Sequence, residues 1–136
     1  MYNNKIAIVI QKDLLPWQKL NVTAFLASSV AIQFPETHGA PFVTASHNTY
    51  LPFIKHPILI YGADSPDQIN RAFKRAKERQ LSIGIYTKAL FATKNEAQNL
   101  VEIARYTNEN HNLVGIIVYG ENKKVSKALE GLKFHE

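Results

Sequence analysis

Lys5-Ile-Ala-Ile-Val-Ile10 is an unbroken apolar run rich in β-branched residues, and it predicts a buried strand. After Pro16 the period changes. Leu20, Phe25, Val30 and Ile32 stand among several alanines, which predicts a helix. A strand therefore feeds directly into a helix, and Lys12, Asp13, Lys19 and Asn21 gather at the junction. The stretch 35–57 has no regular period and is punctuated by Pro35, Gly39, Pro41, Pro52 and Pro57. Within it, Phe42-Val-Thr-Ala and Thr49-Tyr-Leu read as two short β pieces joined by Ser46-His-Asn as a hairpin. His56-Pro-Ile-Leu-Ile-Tyr-Gly62 predicts a second core strand, with Pro57 acceptable at its first position.

The second half repeats the alternation. Ser65 is the expected N-cap of a helix, with Pro66 at its first position and Asp67 in its first turn, and Ile69, Ala72, Phe73 and Ala76 recur at helical spacing. Leu81-Ser-Ile-Gly-Ile-Tyr86 predicts a third core strand. A short helical turn over 88–91 is expected next, then a helix over 95–107 with Leu100, Val101, Ile103 and Ala104 inward. Residues 113–119 predict a fourth strand closed by Gly120. Asn122 is the expected cap of a last helix reaching 129 and ended by Gly131, and 132–135 reads as an edge strand. Strands alternating with helices predict a single α/β domain over 1–136, a mixed sheet covered on both faces. No internal repeat, low-complexity tract or linker interrupts it.

Bulk composition narrows the class. At 136 residues, 46% hydrophobic and 20% charged, the chain suits one globular domain with a real core. Thr23, Ser28, Ser29 and Gln33 break the best candidate for a membrane-spanning stretch, so no membrane partner is expected. Met-Tyr-Asn-Asn-Lys leads straight into a strand without a signal-peptide pattern. Absence of cysteine excludes disulfides and thiolate metal sites. Together these predict a cytoplasmic protein. A net charge of +5, from 16 basic and 11 acidic residues, favours anionic partners.

Four groups of residues could carry chemistry. Lys12, Asp13, Lys19 and Asn21 sit where unpaired helix N–H groups meet strand ends, a favoured ligand position in α/β proteins. Asp13 could act as a base or orienting group and Lys19 could neutralise an anion; otherwise Asp13 caps a turn and both lysines are solvated. Tyr86-Thr87-Lys88 and Thr93-Lys94-Asn95 follow the third core strand. If that strand runs parallel to the first, Thr87 falls beside Asp13; the competing role for Thr93 or Asn95 is helix capping. His38, His47 and His56 are spaced by nine residues with no acidic cluster, so surface or loop-packing roles are expected and neither metal nor cofactor. Arg71, Lys74, Arg75, Lys77 and Arg79 could rest on a nucleic-acid backbone, but read better as the wet face of an amphipathic helix. Serine-hydrolase, P-loop and dinucleotide-binding signatures are all missing.

The run Trp17-Gln-Lys-Leu-Asn-Val-Thr-Ala-Phe-Leu26 resembles the signature of an uncharacterised family called "domain of unknown function two thousand". Tyr50-Leu-Pro52, Pro57, Ile85-Tyr-Thr87, Leu90-Phe-Ala-Thr93, Asn99, Leu113-Val-Gly115 and Gly131-Leu132 extend the resemblance in order along nearly the whole chain. Members of that family look like type II peptidyl-tRNA hydrolases in fold, a small mixed sheet flanked by helices. The hydrolase's own residues carry over in part. Asp13-Leu14 matches, and Lys19 falls within one residue of a family lysine. Trp17 replaces the turn glycine, and Ala24 and Ala27 fall near the expected glutamine and histidine. Of the later Asp-x-Gly-x-Thr segment only Thr93 matches, so the acidic member is missing.

These readings predict a binding or enzymatic module for a small polar or anionic ligand at the first strand-helix junction. Asp13 and Lys19 are the candidate catalytic pair; Lys12, Asn21, Thr87, Thr93 and Asn99 are the expected ligand-binding set. The alternative is an esterase acting on aminoacyl- or peptidyl-tRNA, although tRNA is the less favoured partner. A third reading is a homo-oligomeric interaction protein with Trp17 on an exposed apolar patch, as in a homodimer.

Overall fold

Ile6, Ile8 and Ile10 project to one side of the first strand, Ala7 and Val9 to the other, and such a strand is stable only with both faces covered. A computed structural model describes residues 2–136 and meets that requirement. The strand, β1 (Asn4–Gln11), is central in a five-stranded mixed sheet. Its partners are β4 (Ile58–Ala63), β5 (Ser82–Thr87), β6 (Leu113–Glu121) and the two-residue β7 (Lys133–Phe134), in the order β5-β6-β1-β4-β7. β1 pairs in parallel with β4 and antiparallel with β6, which also pairs antiparallel with β5. So β1, β4 and β5 share one direction, and their C-terminal ends form one sheet edge.

Helix α1 (Pro16–Gln33) covers one face, seating Val22, Leu26 and Val30 on Ile6, Ile8, Ile10, Ile117 and Tyr86. Helices α2 (Pro66–Glu78) and α4 (Asn122–Ala128) cover the other, burying Ile69, Ala72, Ala76 and Val125 against Ala7, Val9, Ile116 and Val118. Close approach of α1 depends on glycine. A Cβ at Gly115 would stand 2.6 Å from Val22 Cγ1, and one at Gly84 would stand 2.7 Å from Ser29 Oγ. The sheet gives up side chains there so that the helix can lie on it.

Local chemistry explains the helix starts. Ser65 caps α2, its hydroxyl accepting from the Gln68 N–H. α1 has no hydroxyl at its cap position, Leu15; Pro16 opens the helix and the Gln18 side chain accepts from the Leu15 N–H at 3.0 Å. The hairpin forms as β2 (Phe42–Val43) and β3 (Thr49–Tyr50), a separate two-stranded sheet whose every residue is exposed.

Two expectations are corrected. The helix expected inward over 95–107 is α3 (Glu96–Ala104) and buries nothing: Leu100 is 66% and Val101 60% exposed. Both sheet faces are already occupied by α1, α2 and α4, so no apolar surface remains for α3 to cover. Asn122 does not cap the last helix. Glu121 takes that role, its carboxylate accepting from the Lys123 N–H, while the Asn122 amide donates to the Tyr2 carbonyl.

Candidate functional site

A cleft of about 440 Å³ opens where the first three turns of α1 face the end of β5 and the segment after it. Trp17, Asn21 and Phe25 recur every four residues and so project from one side of α1. Beyond β5, Lys88–Ala92 makes a 3-10 turn that brings Leu90 and Phe91 over Tyr86. Thr93, Lys94, Asn95 and Asn99 complete the lining.

The floor is a chain of aromatic rings. Trp17 meets Phe91 edge-on at 5.8 Å between centroids, Phe91 meets Tyr86 at 5.2 Å, and Tyr86 meets Phe25 at 6.1 Å. Burial pushes the Tyr86 phenol above the ordinary tyrosine range, so it keeps its proton at neutral pH. The far wall is polar and braced. The Thr93 hydroxyl lies 2.8 Å from the Leu90 carbonyl and donates to the Asn99 side-chain oxygen. Asn95 caps α3, its side chain accepting from the Gln98 N–H at 2.9 Å. Lys94 is the single charged residue in the lining. Exposed aromatic faces, carboxamides and one ammonium group suit a small ligand with a flat, polar or anionic structure.

The structure gathers some predicted residues and separates others. Asn21, Thr93 and Asn99 line the cleft; Lys12, Asp13, Lys19 and Thr87 do not. Lys19 follows Trp17 by two residues, which turns it by about 200° around α1. Lys12 pairs with Asp64 at 3.0 Å, toward β4, while the cleft opens toward β5, on the other side of β1. Asp13 is exposed in the turn between β1 and α1. The conditional placement of Thr87 beside Asp13 needs correction. β5 does run with β1, but β6 lies between them, so about 10 Å of sheet separates the two strands. Thr87 is also only 5% exposed, behind a bulge opposite Leu113.

Tyr86, Lys94 and Asn95, from the second group the sequence offered, also line the cleft; Trp17, Phe25, Ile85, Leu90 and Phe91 complete the lining and were not among the expected ligand contacts. Their signal was present in part as the spacing Trp17, Asn21, Phe25, one face of a helix with an amide between two rings. His56 is buried, stacked on Tyr2 at 4.1 Å, in the loop-packing role expected. Among the described residues no three His, Asp or Glu side chains cluster as metal ligands do, and no helix is long and apolar enough to cross a membrane.

Comparison with known proteins agrees with this architecture and assigns it no activity. A protein of unknown function, Atu0240, from Agrobacterium tumefaciens strain C58 has a solved structure that matches with a TM-score of 0.95. It is 32% identical, and the match covers 100% of each chain. No curated protein matches. A family model described as "Protein of unknown function (DUF2000)" matches residues 4–136. The chain belongs to that family.

Proposed function

We propose that the protein binds a small polar or anionic ligand in the cleft between α1 and the segment 90–99, with the ligand's flat portion against Trp17 and its charge toward Lys94. The observation that carries this reading is the composition of the lining: four aromatic residues, three asparagines, one threonine and one lysine around a single opening. Such a set has little reason to gather on a surface that only needs solvation, whereas stacking and amide contacts are how small-ligand sites orient their guests. Asn21 and Asn99 supply hydrogen bonds, and Thr93 holds Asn99 in place. The site lies beside the first strand-helix junction, on its β5 side. We further read the protein as cytoplasmic.

A thermal-shift screen with nucleotides, carboxylic acids and phosphorylated metabolites tests the proposal. A ligand should raise the melting temperature of the wild type, and Lys94→Ala should weaken binding of an anionic hit about tenfold, near the 1.4 kcal/mol that one charge-assisted contact supplies. No shift across the panel, or an equal shift in Asn21→Ala and Lys94→Ala, would contradict it.

A second reading keeps the type II peptidyl-tRNA hydrolase likeness: an esterase on aminoacyl- or peptidyl-tRNA with Asp13 as general base and Lys19 beside the substrate. What favours it is the exposed Asp13 carboxylate in the turn that feeds α1. Absence of turnover of peptidyl-tRNA at micromolar enzyme would end it.

A further inference from the structure

The net charge of +5 is not spread over the molecule. The segments 66–79 and 121–130, which hold α2 and α4, carry eight lysines and arginines against four acidic residues, whereas the rest of the chain nearly balances at eight against seven. Four of the five net charges therefore belong to the two helices that cover the sheet face opposite α1. Taken alone, the α2 cations are the wet side of one amphipathic helix. α4 enlarges that side into a surface. The two helices lie together, with Ile69, Ala72 and Ala76 sharing one core cluster with Val125 and Ala128. Arg71 and Arg75, one turn apart, border the notch between them beside Ala128 and Glu130, and Arg75 donates to the Glu130 carbonyl at 3.1 Å. Lys123, Lys124 and Lys127 stand exposed on α4. Lys5 reaches α4 from β1, donating to the Ser126 hydroxyl at 2.8 Å.

These cations keep their charge uncompensated. Among the described residues the ion pairs are Lys12 with Asp64 and Arg105 with Glu102, so no cation of α2 or α4 is neutralised that way. Glu121, the nearest acid on α4, is engaged as its cap. Clustered like charge repels itself, and a polyanion that displaces its counter-ions relieves the repulsion.

We infer that the α2–α4 face docks on the phosphate backbone of a duplex nucleic acid without reading its sequence. The chemistry of the face selects this occupant. None of the large apolar side chains that stand exposed among the described residues belongs to α2 or α4. A membrane-seated helix would sink such side chains into the headgroup layer, and a protein partner would bury them at the centre of its interface. A single strand would stack its bases on exposed rings. A duplex asks for none of these, because its bases are already stacked inside and its charge, one per about 1.7 Å of axis, is met by lysine and arginine alone. At 13 residues α2 is about 20 Å long, so the face runs beside roughly a dozen duplex charges. It lies across the sheet from α1, and the inference rests neither on the ligand cleft nor on an esterase role for Asp13.

Fluorescence anisotropy of a labelled mixed-sequence DNA duplex of about 20 base pairs, titrated with the full chain from about 50 to 200 mM NaCl, tests it. Four phosphate contacts predict a log–log salt slope of about −4, so binding should weaken about a hundredfold or more across that range. Arg71→Glu and Lys127→Glu should each weaken binding about tenfold and lower the slope by about one, with wild-type circular dichroism because both side chains are exposed. Lys88→Glu makes the same change of net charge away from both helices and should alter binding less than about twofold. A single strand of the same length should bind at least about tenfold more weakly. No binding to the duplex at about 50 mM salt overturns the proposal. So does a loss in Lys88→Glu equal to that in Arg71→Glu and Lys127→Glu, or tighter binding to the single strand or to phosphatidylserine vesicles than to the duplex.

Discussion

Trp17 shows how one residue can be placed by several constraints at once. It lies in the first turn of α1, closes the aromatic chain through Phe91, and remains 56% exposed at the cleft mouth. Two residues far from the cleft yield sharper stability predictions. Gly115→Ala would drive a Cβ into Val22, in a core where α1 already lies against the sheet. The expected cost is about 1–3 kcal/mol, measurable by urea denaturation, and a loss below about 0.5 kcal/mol would mean that α1 can shift. His56 is held below the ordinary histidine range, first by burial, then by the neighbouring Lys55 charge, with Glu36 opposing. Its folded-state pKa is thus below its unfolded value, so the unfolded chain binds the proton more readily and stability falls as pH drops below about 6.5. Melting curves at pH 7.5 and 5.5 should show this loss in the wild type and a smaller one in His56→Gln. Equal losses in both would assign the pH dependence to other groups.

At the scale of elements, α3 is the informative case. It buries no residue and contacts little beyond the turn before it, yet its N-terminal end supplies Asn95 and Asn99 to the cleft. Its order therefore rests on its cap more than on packing. Asn95→Ala should remove about 1 kcal/mol of local helix stability, seen as faster amide exchange over 96–104 and weaker ligand binding, with little change in the global unfolding midpoint. A large global loss would show that α3 is part of the core after all. The sequence made the strands and α2 legible because each carries a one-sided or continuous apolar pattern. It misled at α3, where Leu100 and Val101 have the spacing of an inward stripe but no vacant sheet face to meet. The cleft was half legible for a related reason. Asn21, Thr93 and Asn99 could be suspected as polar residues near strand ends. Which of them converge was decided by β6 entering between β1 and β5, a pairing between segments about a hundred residues apart that local patterns do not encode.

At the scale of the molecule, the two sheet faces have different surroundings. α2 and α4 turn lysines and arginines to water; α1 turns alanines, Leu20 and Trp17 outward and walls the cleft with its flank. One helix thus seats Val22, Leu26 and Val30 on the core and lines the cleft with Trp17, Asn21 and Phe25. The central claim is that the cleft beside α1 takes a ligand, and the chain carries its own reporter for it, because Trp17 is the only tryptophan. Titration of the intrinsic fluorescence with the best hit from the ligand screen tests it most directly. The Trp17 emission of the wild type should change saturably, with the midpoint moved about tenfold in Lys94→Ala. A ligand that stabilises the protein yet leaves Trp17 emission unchanged would place the binding site elsewhere and rule out the cleft.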